Sequence, residues 1–330
     1  MKALVYTNKQ ALSFRDEPDP EPLADEVVVK VEAVGICGSD MHAYNGEDER
    51  RPAPLILGHE AIGHIVGGKF AGRRVAINPL VTCGTCDYCK RGQEHICADR
   101  QIISMKPRPG AFAEFVRIPL RNTFEISSQL PVSQAVLAEP LAVSFHAVNL
   151  GLKLLNVQGS MARCVVLGGG PIGLTAAYAL GFYGIANILI VENNVQRRTM
   201  IGERQKFRAV ASVSSELLES RADLIIDAVG SAATRALACH LARPGSVIVH
   251  VGLLHRSDGI DVRKLTIREI HFTGSYCYTP SEFEAAVVAL EQRRFENFDW
   301  TDERSLQDGP ATFHDLANGR ADAIKMILRP

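Results

Sequence analysis

The sequence carries almost no net charge and no long run of one sign. Lysine and arginine total 36 against 37 aspartates and glutamates, and the longest basic cluster is a pair such as Arg197-Arg198. That leaves no electrostatic footprint for nucleic acid. No stretch approaches the roughly 20 apolar residues expected of a membrane span. The opening MKALVYTNKQ lacks the apolar run of a signal peptide. No internal repeat or low-complexity tract is present. The expectation is a cytoplasmic protein with neither membrane nor nucleic acid as partner. Thiols stay reduced in that compartment, so clustered cysteines favour metal over disulfide. With 330 residues, 46% hydrophobic and 22% charged, the composition is globular and the length is natural for two domains.

The chain is written in two grammars. Up to about residue 135 it is rich in short β patterns, such as Val27-Val-Val-Lys-Val-Glu-Ala-Val and Arg74-Val-Ala-Ile-Asn, punctuated by Pro and Gly. That predicts a β-rich domain with long loops. From about residue 140, short apolar strands (Cys164-Val-Val-Leu, Ile188-Leu-Ile-Val, Leu224-Ile-Ile-Asp, Ser246-Val-Ile-Val) alternate with helical stretches. That alternation predicts an α/β domain with a doubly wound parallel sheet. Near the end, Pro280-Ser-Glu-Phe-Glu-Ala-Ala-Val-Val reads as an amphipathic helix with Ser281 as its N-cap.

Four of the eight cysteines, Cys83, Cys86, Cys89 and Cys97, fall within fifteen residues at C-x2-C-x2-C-x7-C. Four thiolates so spaced can surround one tetrahedral zinc ion at about 2.3 Å per bond. Such a set leaves no open position, so this zinc is structural and the chemistry lies elsewhere.

Gly168-Gly-Gly170-Pro171-Ile172-Gly173 is G-x-G-x-x-G placed after a strand and opening a helix, with Glu192 following 22 residues after Gly170. In that context it predicts a dinucleotide site. Gly168 allows the tight turn, Gly170 lets the backbone approach a pyrophosphate at the helix N-terminus, and Gly173 permits close helix–strand packing. Glu192 accepts hydrogen bonds from the adenosine ribose and repels a 2′-phosphate, which favours NAD over NADP. Arg197 and Arg198, just behind it, pull the other way.

Three further motifs complete the set: Cys37-Gly-Ser39-Asp40-Met-His42, Gly58-His59-Glu60 and Ala138-Glu139-Pro140-Leu. With these the chain resembles the zinc-dependent medium-chain dehydrogenase/reductase superfamily of alcohol, sorbitol and threonine dehydrogenases. The motifs stand in the family's order and cover nearly the whole chain, Gly110-Ala-Phe112-Ala-Glu114 among them. The polyol branch is nearest, because Glu139 stands where alcohol dehydrogenases proper carry a cysteine ligand.

The resemblance implies a GroES-like catalytic domain over 1–140 holding the 83–97 lobe, a Rossmann NAD-binding domain over 141–273, and a C-terminal segment over 274–330 returning to the first. It implies that Cys37, His59 and Glu60 bind a catalytic zinc, with Glu139 at the fourth position directly or through water. Asp40 orients a ligand such as His59 from behind. Ser39 takes the alcohol proton, and His42 passes it on toward solvent. Two zincs per chain, NAD, a small-molecule alcohol substrate and a homodimer or homotetramer follow. The implied reaction is hydride transfer from a secondary alcohol, most simply a polyol or sugar alcohol, to NAD. A threonine 3-dehydrogenase-like or sugar-phosphate activity is the alternative. A non-catalytic zinc module leaves Cys37, Ser39, His59 and Glu139 unexplained. Tyr44, Phe112, Tyr276 and Tyr278 flank these motifs as candidate substrate-pocket residues. The chain departs from the polyol branch at Ser275, where an arginine often stands.

Overall fold

The segment Glu26–Gly35 has valine at five of its ten positions and forms the longest of the described strands. β-Branched side chains pack well on a pleated surface, and this strand holds neighbours on both edges. The strand Glu60–Val66 pairs with it antiparallel, with Gly35 facing Glu60, and Phe115–Pro119 also pairs with it. The computed structural model describes residues 1–157, 161–212, 222–254, 257–295, 298–321 and 323–330.

The chain divides into two units, Met1–Glu139 with Thr279–Pro330, and Pro140–Tyr278. In the first, a seven-stranded sheet runs in the order Thr123–Glu125, Arg74–Ile77, Glu60–Val66, Glu26–Gly35, Lys325–Arg329, Thr301–Ser305, with Phe115–Pro119 to one side. The last strand of the chain, Lys325–Arg329, thus lies beside Glu26–Gly35, pairing Ile327 with Gly35. A three-stranded sheet (Ala11–Asp16, Lys2–Asn8, Leu55–Ile56) shares the same apolar core, in which Val29, Leu57, Phe112, Ile118, Phe313 and Leu328 are fully buried.

The second unit is one parallel sheet of six strands, ordered Arg208–Val210, Asn187–Val191, Arg163–Leu167, Ala222–Asp227, Ala242–His250, His271–Gly274. Chain order reverses between Arg163–Leu167 and Ala222–Asp227, the switch point at which such sheets take ligands beyond the carboxyl ends of their strands. This is the doubly wound α/β fold expected from the alternating strands.

Three sequence expectations need correction. The tail rejoins the first unit at Thr279 and not at 274, because Ser275 still donates its N–H to His250 O and continues the sheet's edge. The helix Pro280–Glu291 is capped by Thr279, not Ser281. The Thr279 hydroxyl accepts from the Glu282 N–H while the Glu282 carboxylate accepts from the Thr279 N–H. Pro280 then occupies the first helical turn, where its missing N–H costs nothing. Finally, one stretch, Val132–Leu154, is long and apolar enough by composition to cross a membrane. Of its most apolar 18-residue window, 78% is buried inside the protein, as in a core helix.

Candidate metal centre and nucleotide site

The candidate metal donors of the first unit are brought together by a single buried carboxylate. Cys37 precedes the helix Gly38–Tyr44, and Asp40 lies in that helix's first turn with no exposed surface. Asp40 Oδ2 accepts the Cys37 N–H at 3.0 Å, and its Oδ1 accepts the Gly58 N–H at 3.2 Å. The same Oδ1 lies 3.6 Å from His59 Nδ1. Asp40 therefore ties the Cys37 turn to the Gly58-His59-Glu60 turn. Gly58 has φ +88°, and a Cβ there would sit 2.7 Å from the Phe112 ring. Only glycine both adopts that conformation and admits the ring.

Cys37 Sγ, a His59 ring nitrogen and a Glu60 carboxylate oxygen all lie within 4.8 Å of one another. Zinc bonds of about 2.0–2.3 Å place the donors of a tetrahedral site about 3.3–3.8 Å apart, so the three fit one ion with small adjustment. Burial pulls the His59 imidazolium down, yet the Asp40 carboxylate and the Cys37 sulfur outweigh it and hold His59 well above its ordinary value. Asp40 is pushed up by burial and pulled further down by His59, Arg51 and the Cys37 N–H, ending below the usual carboxylate range. Glu139 is buried in the first turn of the helix Ala138–Leu154 and is not part of the three-donor group.

Three residues of this centre escape sequence reading. Lys325 is buried, donates from Nζ to Ile36 O at 3.0 Å, and forms an ion pair with Glu60 Oε2. Ser104 is fully buried at φ +73°, with Oγ 3.3 Å from His59 Nδ1. Arg51, also buried, donates to Ser104 O at 3.2 Å and to Asp48 Oδ2 at 2.5 Å. Ser104 and Asp40 both occupy the Nδ1 side of His59, which leaves Nε2 for a metal.

Ser39 and His42 sit three residues apart on the helix Gly38–Tyr44, a spacing that puts them on one face. Both are half-buried. His42 Nδ1 is 3.3 Å from Glu47 Oε2.

In the cysteine lobe the sulfur–sulfur distances are 3.5 Å for Cys86–Cys89, 3.5 Å for Cys83–Cys97 and 3.9 Å for Cys83–Cys89. A tetrahedron of four 2.3 Å bonds has edges of about 3.8 Å. Disulfide sulfurs would lie near 2.05 Å, and all four cysteines are free. Backbone N–H groups of Thr85 and Cys86 point at Cys83 Sγ and lower its thiol to about 6, while burial pushes the Cys89 thiol up to about 12 and raises that of Cys97.

In the second unit the glycines occupy the places their spacing assigns. Gly168 has φ +95°, Gly170 faces open space, and a Cβ on Gly173 would lie 1.8 Å from Gly168 O. Gly170 caps the helix Pro171–Phe182, with Pro171 in its first turn and Ile172 next. Glu192 is buried; its Oε2 accepts the Gly169 N–H and its Oε1 the Asn194 N–H, each at 2.7 Å. The basic side chain that returns to it is Arg198, which donates to Glu192 O at 2.8 Å. Arg197, the expected cofactor contact, gives its backbone N–H to the Asn194 cap of the helix Val195–Glu203.

The aromatic pocket candidates are corrected in part. Phe112 has no exposed surface and packs edge-on against Phe313 at 5.7 Å, while Tyr44 is buried 5.4 Å from the same ring. The neighbours of Phe112 are core residues, so it serves packing, whereas Tyr44 also borders a cavity lined by Lys9, Gln10, Asn45, Glu47 and His314. Tyr278 is likewise buried, and Tyr276 is half-buried beyond the edge strand of the parallel sheet.

Comparison with known proteins agrees with this geometry. Residues 23–128 match the alcohol dehydrogenase GroES-like domain, and residues 171–292 match the zinc-binding dehydrogenase domain. Sorbitol dehydrogenase of Bacillus subtilis is 31% identical, with 100% of this chain and 97% of the relative covered. L-galactonate-5-dehydrogenase of Escherichia coli is 30% identical over 86% of this chain and 85% of its own. Among solved structures, an alcohol dehydrogenase of Escherichia coli CFT073 complexed with NADH superposes with TM-score 0.89 at 26% identity, covering 100% of this chain and 99% of its own. A zinc-binding dehydrogenase of Sinorhizobium meliloti bound to NADP gives TM-score 0.87 at 27% identity, with the same coverage.

Proposed function

The chain belongs to the zinc-dependent medium-chain dehydrogenase family, and from that premise we propose that it oxidises a secondary alcohol, a polyol or sugar alcohol, with NAD as hydride acceptor. The observation that carries the reading is the mixed donor set of Cys37, His59 and Glu60, held by Asp40 in a unit that also carries a separate four-thiolate set. A sulfur–nitrogen–oxygen set with three protein donors is the composition of a catalytic site, whereas four thiolates make a closed one.

In this reading Cys37, His59 and Glu60 would hold the catalytic zinc, with Glu139 at its fourth position directly or through water, and Cys83, Cys86, Cys89 and Cys97 would hold the second. Zinc bound at the first site supplies Lewis acidity toward a substrate hydroxyl. Asp40 and Ser104 fix the imidazole of His59 so that one ring nitrogen faces the metal. Ser39 accepts the hydroxyl proton, and His42, anchored through Nδ1 by Glu47, moves it outward from its other ring nitrogen. The cofactor's nicotinamide supplies the hydride chemistry, and the protein supplies alignment.

NAD is preferred because each Glu192 oxygen accepts one backbone N–H and keeps a lone pair for a ribose hydroxyl. Arg198 is engaged with the Glu192 and Asn193 carbonyls. Fluorescence titration is expected to show NADH binding at least about tenfold more tightly than NADPH, a difference of about 1.4 kcal/mol. Glu192→Ala should shrink that ratio. Equal binding of the two by the unsubstituted protein would remove the assignment of Glu192, and metal analysis short of two zincs per chain would remove that of the two sites.

A further inference from the structure

Resting on that reading of the metal centre, we propose that Lys325 is its positioning residue: the buried ammonium shares the Glu60 carboxylate with the metal and so keeps Glu60 an exchangeable ligand. The geometry is specific. Lys325 opens the last strand, which the fold inserts beside Glu26–Gly35, and its side chain is 1% exposed. Nζ is fixed from one side by Ile36 O and from the other by Glu60 Oε2. The Glu60 carboxylate lies over the bare backbone of Gly35, where a Cβ would come within 2.2 Å of Oε2. One carboxylate oxygen is thus engaged by lysine while a Glu60 oxygen also sits within the three-donor group.

Charge explains why a lysine belongs there. Cys37 as thiolate, Glu60 and Glu139 bring three formal negative charges to a divalent ion. The Lys325 ammonium meets that charge directly, as a buried ion pair with Glu60 in which both side chains are 1% exposed. With Lys325 these donors and a divalent ion sum to zero, and without it they carry one further negative charge beside that of buried Asp40. A buried charge stripped of its partner seeks another. Here the available partner is the metal, so loss of Lys325 commits Glu60 to it, tightens the ion and blocks the position that a substrate hydroxyl needs.

The test is chelator competition for zinc at the Cys37 site, run on the full chain beside steady-state kinetics. Lys325→Met is expected to bind that zinc at least about tenfold more tightly, equivalent to 1.4 kcal/mol, while kcat falls at least about tenfold. Lys325→Arg, which keeps the charge, should stay within about threefold of the parent in both. Unchanged or weaker zinc binding in folded Lys325→Met overturns the proposal. If Lys325→Met does not fold, Glu60→Gln and Glu60→Gln/Lys325→Met decide, because a residue acting through Glu60 has little left to act on. Zinc affinities of that pair within about threefold of each other support the proposal, and a larger gap overturns it. A parent protein that binds zinc only in the cysteine lobe would refute the reading of the site itself, an outcome distinct from both.

Discussion

His59→Ala is expected to lower turnover by at least about a thousandfold while removing one of two zincs per chain. The magnitude follows from what the imidazole holds. Lewis-acid stabilisation by a bound ion is worth several kcal/mol, and each 1.36 kcal/mol is a factor of ten in rate. Stability should suffer far less. Asp40 loses its imidazole neighbour but keeps the N–H groups of Cys37 and Gly58 and the field of Arg51. A loss of about 1–3 kcal/mol is the ordinary cost of one disturbed buried partner. The check is metal analysis and kcat on the same preparation, with circular dichroism to establish the fold. Turnover within tenfold of the parent would refute the site.

Cys97→Ser should do the reverse, damaging the fold more than the chemistry. Cys97 is fully buried, and its sulfur lies 3.5 Å from that of Cys83. Structural zinc contributes folding free energy directly, on the order of 10 kcal/mol in small zinc domains. Losing one of four thiolates forfeits enough of this to lower Tm by about 5–10 °C in a chain of this size. Differential scanning calorimetry with metal analysis reads it. The expected result is one zinc fewer per chain, a lower Tm, and residual turnover well above that of His59→Ala at low temperature. A parent-like Tm together with a full complement of zinc would show that the lobe does not depend on four thiolates. The two variants separate the two sites, because each removes a different zinc with a different consequence.

What was legible in the sequence was local. The four cysteines span fifteen positions, and the glycine turn with Glu192 spans about one strand–helix–strand unit, so spacing alone reported on their geometry. The motif from Cys37 to His42 was readable as a set of residues, but not as the helix Gly38–Tyr44 in which Asp40 closes back on the Cys37 N–H. What was not legible was delivered by the fold over long separations. Lys325 meets Ile36 across 289 positions, through a strand whose place beside Glu26–Gly35 no motif announces. Ser104 meets His59 across 45 positions from a left-handed backbone conformation that a serine rarely adopts. The facing of Phe112 was not legible for a related reason. Phe112 belongs to a recognisable motif, but its ring turns inward under Gly58 and joins the core. Neighbourhood in sequence placed it near the metal donors without saying which way its side chain faces.

The most direct test of the central claim is turnover itself. Zinc-replete protein is mixed with NAD and a panel of polyols, simple alcohols and hydroxy-amino acids, and the absorbance of reduced nicotinamide is followed. The account predicts reduction of NAD with a secondary polyol, abolished by a strong chelator and restored by added zinc. Protein carrying both zincs that reduces NAD with no member of the panel would contradict it.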